Sequence, residues 1–316
     1  MSVQRPEGRR LAVDGVSFEV AAGAAFGLVG ESGSGKSLTL RAMISLLPPL
    51  ARIERGRVLL HGRPLPADGR AARRARRREM AMIFQDSLSA LDPVRDVGHQ
   101  IAEAPQRLFG LSRRRAWERA VELLRMVGLP DPASTAHAYP HQISGGMRQR
   151  VAIAIALSTE PSVLLCDEPT TALDVTVQAQ ILDLLDDLRR RLDLAIVFVS
   201  HDLAVIRQLC EETAVMYTGR LVETGMSTAV LAEPMHPYTV GLLGAIVDLD
   251  NPVGAPTPIP GALPDIERLP SGCTFHPRCF LATQECTVIV PELAPAVGSE
   301  EGHRSACIHR DRLVRR

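Results

Sequence analysis

The run from residue 25 to residue 47 limits the fold of this chain more than any other stretch. "AFGLVG" (25–30) is an apolar run of strand length. "KSLTLRAMISLL" (36–47) carries a helical pattern stopped by Pro48 and Pro49, and Gly30-x4-Gly35-Lys36-Ser37 joins the two. The join fits G-x-x-x-x-G-K-[ST] in the strand-to-helix context that this motif needs. Its glycines let consecutive backbone N–H groups turn inward around phosphate oxygens, and the helix start adds partial positive charge. Lys36 then reaches the β- and γ-phosphates of a nucleotide, and the Ser37 hydroxyl becomes a Mg²⁺ ligand. The cradle is residues 30–38: Gly30, Glu31, Ser32, Gly33, Ser34, Gly35, Lys36, Ser37 and Leu38. Lys36 is the only lysine among 36 basic residues. A compact ammonium on a flexible stem suits a crowded phosphate loop better than the planar fork of Arg. The bland alternative, a glycine-rich turn with a chance lysine, is disfavoured by the strand and helix on either side.

Around this loop the chain alternates short apolar runs with helical patterns, the mark of an α/β domain with a largely parallel sheet. "RVLLHG" and "MAMIFQ" read as strands, as do "SVLLCDE" (162–168) and "LAIVFVS" (194–200), with a helix between the last two from about 175 to 192 and a short one after His201. From about 92 to 160 the pattern is helical, with "RRRAWERAVELLRMVGL" its clearest amphipathic piece, and we read a helical insertion there. Near residue 248 the chain becomes rich in proline (252, 256, 258, 260, 264 and 270), and four cysteines follow. The expected division is a phosphate-binding core over 1–233 and an extension over 234–316. A hydrophobic fraction of 46% supports a real core, and no apolar run reaches the ~18 residues of a membrane-spanning helix. With no apolar leader either, we expect a cytoplasmic location, where thiols stay reduced.

The acidic half of a phosphate site is expected at the end of an apolar strand. "VLLCDEP" supplies Asp167, suited to hold Mg²⁺, and Glu168, a candidate for orienting an attacking water. Gln85 in "FQD", Ser144-Gly145-Gly146 in "ISGGMRQR", "TALD" at 171–174 and His201 in "SHD" complete an ordered set. In this order and spacing, the set resembles the nucleotide-binding subunit of ABC transporters over residues 11 to about 225. The resemblance implies an α/β P-loop ATPase with a helical subdomain, in which two ATP molecules are sandwiched between two such domains. Ser144, Gly145 and Gly146 would face the γ-phosphate bound by the partner. Glu168 would polarise the hydrolytic water and His201 would contact the γ-phosphate. Gln85 would sense Mg²⁺ and water, and Asp174 would couple the two halves. On residues alone, His201 also reads as a helix-capping surface residue. An aromatic residue that stacks on adenine is expected upstream of "LAVDGVSFEV", and Arg5 stands about where it would lie.

"YPHQISGGMRQRVAIAIAL", "FQDSLSALDP" and "HPYTVGLL" (236–243) resemble the ATPase subunits of dipeptide and oligopeptide permeases, a branch that also serves nickel and glutathione importers. That implies a second ATPase subunit, often a different chain, with two transmembrane permease subunits and, indirectly, an extracytoplasmic solute-binding protein. The place of action would be the cytoplasmic face of the cell membrane. Cys273, Cys279, Cys286 and Cys307 follow C-x5-C-x6-C-x20-C spacing, which suits a zinc site, an iron–sulfur cluster or a set of reduced thiols equally. The framing "GCTFHPRC" resembles the C-terminal box of peptide-importer ATPases, some of which carry a [4Fe-4S] cluster, and this favours a cluster over Zn²⁺. His276, His303 and His309 are possible replacements for a thiolate, and Cys166 and Cys210 read as packing residues.

The balance of 36 basic against 36 acidic residues removes a whole-chain electrostatic case for nucleic acid. It speaks against the rival class, a soluble ABC ATPase of DNA repair or translation. Arg70, Arg73, Arg74, Arg76, Arg77 and Arg78 form a local run that reads as a solvated face, with a weaker alternative of contact with lipid or a membrane subunit.

Overall fold

The computed structural model describes residues 1–5, 8–65, 76–86, 91–171, 173–245 and 258–313, and the side chain of Arg5 lies outside that description. So do Arg70, Arg73 and Arg74, Ala172, Pro252 and Pro256, and four positions of "FQDSLSALDP". In chain order the elements are β1 (Ser2–Arg5), β2 (Gly8–Leu11), β3 (Ala25–Val29), α1 (Lys36–Met43), β4 (Ala51–Arg52), β5 (Leu59–Leu60), β6 (Arg63–Pro64) and β7 (Met80–Ile83). Next come α2 (Val97–Phe109), α3 (Arg113–Met126), α4 (Pro132–Ala136), α5 (Gly145–Leu157), β8 (Val163–Asp167), α6 (Val175–Leu192) and β9 (Ala195–Ser200). The last are α7 (Leu203–Leu209), β10 (Glu212–Tyr217), β11 (Arg220–Met226), α8 (Ser227–Ala232), α9 (Pro237–Gly244) and β12 (Arg304–Ser305). The chain divides into two compact units.

The first unit comprises residues 1–19, 25–56 and 199–316. Its sheet runs β12-β11-β10-β3: β10 is parallel to β3, while β11 and β12 add on antiparallel. Every residue of β3 is buried, which is why its sequence is apolar without alternation. A small antiparallel sheet, β2-β1-β4, belongs to the same unit. Helix α1 ends at Met43, short of the expected Leu47. Ser45 takes a left-handed conformation (φ 57°), and the amide of Leu46 returns to the carbonyl of Arg41 at 2.8 Å, so the chain leaves the helix before the prolines are reached.

The extension contributes to this sheet through one buried acid. Glu223 on β11 is fully buried and accepts from the amides of Met235 (2.6 Å) and His236 (3.0 Å) and from His303 Nε2 (2.8 Å). Ser305 Oγ donates to the carbonyl of Met235 at 2.9 Å. One carboxylate thereby joins β11, the entry to α9 and the residue preceding β12. His303, a possible metal ligand on sequence grounds, gives its Nε2 to this carboxylate, and it is not among the residues lining the cysteine cavity described below.

The second unit comprises residues 20–24 and 57–198. Strands β7 and β8 are parallel with Ile83 opposite Cys166, and β9 lies on the other side of β8, with the chain passing into the first unit within that strand. Helices α2 to α5 fall within residues 92–160, and among them Ile101, Leu123, Leu124 and Val151 are fully buried. "RVLLHG" makes only a two-residue strand in the β5–β6 hairpin, because His61 (φ 49°) and Gly62 (φ 72°) turn the chain at once. Of the arginine run, Arg76 is buried rather than solvated. Arg78 lies with its guanidinium 5.9 Å from the Phe109 ring centroid. Cys166 and Cys210 are buried, as the packing reading expects. No described helix is long and apolar enough to cross a membrane.

Glu223→Ala leaves three buried donors without their acceptor. It should cost ~3 kcal/mol, read as a fall of roughly 5–10 °C in the thermal unfolding midpoint. Glu223→Gln, which retains an acceptor, should lose less. An unchanged midpoint for Glu223→Ala would show that the extension is held by other contacts.

Candidate nucleotide site and thiol box

The phosphate loop lies within the first unit, between β3 and α1. Gly30 has φ +149°, and a Cβ there would stand 2.2 Å from the carbonyl oxygen of Met216 on β10, so only glycine fits. Gly33 (φ 88°) and Gly35 (φ 108°) complete the turn, and Gly35 is the N-cap of α1 with no side-chain cap. Lys36 is 4% exposed, and its ammonium donates to the carbonyls of Gly30 (2.6 Å) and Glu31 (2.9 Å), across the mouth of the loop. The Ser34 hydroxyl is fully buried with no partner among the described residues. A loop of left-handed glycines with an ammonium and an orphaned hydroxyl fits a phosphate chain. His201, exposed in the same unit, does not cap α7: Asp202 does, accepting from Ala204 N at 2.8 Å.

The second unit holds the acids. Parallel register puts Ile83 opposite Cys166, so Gln85 and Glu168, two residues further on, emerge at the same C-terminal end of the strands. Asp167 closes β8 and is 2% exposed. Glu168 follows in a left-handed conformation (φ 48°), an uncommon backbone state for a residue with a side chain. Its Oε2 accepts from Gln85 Nε2 at 3.2 Å and from Thr171 Oγ1 at 3.1 Å. Nothing in the sequence context marks Thr171 for this role beyond its position three residues after the acid.

The Ser-Gly-Gly element opens α5. Ser144 is the N-cap and accepts from Met147 N at 3.3 Å, while Arg148 braces the approach by donating to the carbonyl of Ile143 at 2.7 Å. A Cβ on Gly146 would lie 2.8 Å from Val177 Cγ1, so this glycine allows the start of α5 to approach α6 closely. Asp174 is exposed and caps α6, accepting from Val177 N at 2.9 Å, a structural duty that its sequence context did not reveal.

All four cysteines of the extension line one cavity of the first unit. His276 and His309 share its wall. Burial pushes the thiol of Cys273 up, that of Cys279 to about 11 and that of Cys307 to about 12, and charge on the neighbouring sulfurs adds to each. The amides of Leu281 and His309 point at Cys279 Sγ (3.3 Å) and Cys307 Sγ (3.4 Å), the kind of contact that steadies ligating sulfur. Among the described residues, no three His, Cys, Asp or Glu side chains are grouped closely enough to hold a single metal ion. His309 Nε2 instead meets Thr283 Oγ1 at 3.0 Å, and His276 Nδ1 the carbonyl of Cys273 at 2.9 Å.

Phosphate loop, strand-end acids and sheet order define the class: an α/β P-loop nucleoside triphosphatase. Residues 13–171 match the family model described as ABC transporter, and residues 222–286 match that of the oligopeptide/dipeptide transporter C-terminal region. The chain is 44% identical over 282 residues to the dipeptide transport ATP-binding protein DppD of Bacillus subtilis, covering 89% of this chain and 84% of that protein. It is 44% identical over 306 residues to the probable peptide ABC transporter ATP-binding protein y4tR of Sinorhizobium fredii, covering 96% and 90%. It is also similar to the ATP-binding cassette MJ0796, solved as a post-hydrolysis dimer with ADP and Pi: TM-score 0.63, 28% identity, covering 72% of this chain and 95% of that one. The chain belongs to the ABC transporter family of ATP-binding proteins, and it is an ATPase.

Lys36→Arg keeps the charge but places a larger planar group in a pocket that is almost closed. Turnover of ATP should fall by roughly 100-fold or more. Near-normal turnover would mean that the loop does not need a compact ammonium.

Proposed function

We propose that this chain is the ATPase subunit of an importer that takes up dipeptides and oligopeptides across the bacterial cytoplasmic membrane. The observation that carries this reading is the joining, in one chain, of the ABC match with the oligopeptide/dipeptide C-terminal match. Nickel, glutathione or another small solute is the nearest alternative cargo. Residues 1–233 are the ATPase domain, with the helical insertion over about 92–160, and 234–316 are the extension. The chain works at the cytoplasmic face as a peripheral subunit. Its partners are a second ATPase subunit, often a different chain in this branch, two transmembrane permease subunits and, indirectly, a solute-binding protein. Nucleic acid is not among its partners.

In this reading residues 30–38 hold the phosphates of ATP, and Ser37, Gln85 and Asp167 hold Mg²⁺. Glu168 orients and deprotonates the attacking water for in-line displacement at the γ-phosphorus. His201 contacts the γ-phosphate, and Ser144, Gly145 and Gly146 cover the ATP of the partner subunit. The pairing of Glu168 with Gln85 supports this assignment, since it ties the base to a residue assigned to Mg²⁺. Asp174 couples the two halves. Closure of the ATP dimer then switches the membrane subunits between inward and outward states.

Cys273, Cys279, Cys286 and Cys307 hold a [4Fe-4S] cluster in this reading, with Zn²⁺ as the alternative. A cluster takes one thiolate per corner iron, which suits sulfurs set around a cavity; a single zinc draws its four to about 2.3 Å. Because burial pushes the thiols of Cys273, Cys279 and Cys307 up, loading must release protons.

Glu168→Gln should bind ATP with near-normal affinity and accumulate the closed dimer, with turnover in the assembled complex lowered by roughly 100-fold or more. Near-normal turnover would remove Glu168 from its role. Anaerobic purification followed by iron, sulfide and zinc analysis tests the thiol box. About four irons and four sulfides per chain are expected, and a colourless, iron-free, stably folded protein would refute the cluster.

A further inference from the structure

We infer that Arg278, in the cysteine-box sequence "HPRC", is a positioning residue for ATP binding: it neutralises the one carboxylate of the phosphate loop and fixes the loop through it. The inference rests on the nucleotide site described above.

Glu31 is a liability at its position. Its carbonyl oxygen accepts the Lys36 ammonium at 2.9 Å, so its carboxylate belongs to the loop that must receive a triphosphate. Like charges so close repel. Arg278 answers with a two-toothed pair: Nη1 donates to Glu31 Oε2 at 2.7 Å and Nη2 to Oε1 at 2.8 Å. The Arg278 side chain is only 5% exposed, and that of Glu31 is 29% exposed. A guanidinium is not deprotonated in proteins, so its charge is permanent. Its remaining directions are also fixed, since Nε donates to the carbonyl of Pro260 at 2.8 Å and Nη1 reaches Tyr217 Oη at 3.4 Å. The ring centroids of Tyr217 and Phe275 lie 5.9 Å and 6.0 Å from the guanidinium carbon.

A second contact grips the same residue by its backbone. Tyr238, of "HPYT", accepts the amide of Glu31 on its hydroxyl at 2.7 Å. Its ring packs with Tyr217 (4.7 Å between centroids) and Phe275 (5.3 Å), the cluster that also faces Arg278. Leu263 lies over Gly33, 3.3 Å from where a Cβ would be. Both sequence marks of the extension, "HPYT" and "HPRC", thus end on Glu31. Arg278 adjoins Cys279 in the chain, so the turn that presents the thiol also presents the clamp.

The test is equilibrium binding of ATP to the full-length chain by titration, across Arg278→Ala, Arg278→Lys, Glu31→Gln and the double variant Arg278→Ala/Glu31→Gln. Lys36→Ala serves as the reference that loses binding. Arg278→Ala should weaken ATP by about tenfold, and the deficit should shrink as salt is raised, because the exposed carboxylate is then screened. Arg278→Lys, which keeps the charge and loses the fork, should fall between. Adding Glu31→Gln to Arg278→Ala should recover most of the lost affinity, an effect that a merely structural role would not produce. In the assembled complex the loss should appear in KM for ATP more than in kcat. Wild-type affinity in Arg278→Ala, or no recovery in the double variant, would overturn the inference. If Arg278→Ala fails to fold, Arg278→Lys carries the same test, with recovery expected on adding Glu31→Gln. Unchanged binding in Lys36→Ala would instead sink the nucleotide site itself.

Discussion

A buried ammonium is costly unless its donors are met, and in this chain that cost shapes the phosphate loop. Lys36 meets the requirement with the carbonyls of Gly30 and Glu31, which are available only because the chain turns through left-handed glycines between β3 and α1. Residue 30 must be glycine, because the Met216 carbonyl of β10 stands where a side chain would be. The parallel pairing of β10 with β3 thereby limits which residue the loop can begin with.

The extension is built around the same point. Glu223 binds β11 to the start of α9 and to His303 before β12, and α9 carries Tyr238 to the amide of Glu31. The aromatic cluster of Tyr217, Tyr238 and Phe275 sets the height at which Arg278 meets the Glu31 carboxylate. The catalytic acid has a support of its own in the second unit, where Gln85 and Thr171 fix Glu168 on a left-handed backbone.

Much of this was legible in the sequence. Continuous apolar runs gave β3, β8 and β9, because strands buried on both faces cannot alternate. The phosphate loop is a local device, with glycines, lysine and helix start all within nine residues. What the sequence concealed depends on contacts across long separations. Arg278 is one of many arginines and 247 positions from Glu31, so nothing in its neighbourhood marks it. His303 sits among candidate ligands, yet a partner 80 positions away claims its nitrogen. The end of α1 was misjudged because prolines announce a stop, whereas Ser45 makes an earlier one by adopting a conformation its side chain disfavours.

Amide hydrogen exchange of the full-length chain, with and without Mg²⁺-ATP, tests the central claim most directly. That claim is a nucleotide site built on the phosphate loop and braced by the extension. It predicts that ATP slows exchange over residues 30–39 and, in the same titration, at the extension segments around Tyr238 and Arg278. Protection confined to other parts of the chain, with the loop exchanging as fast as before, would contradict it.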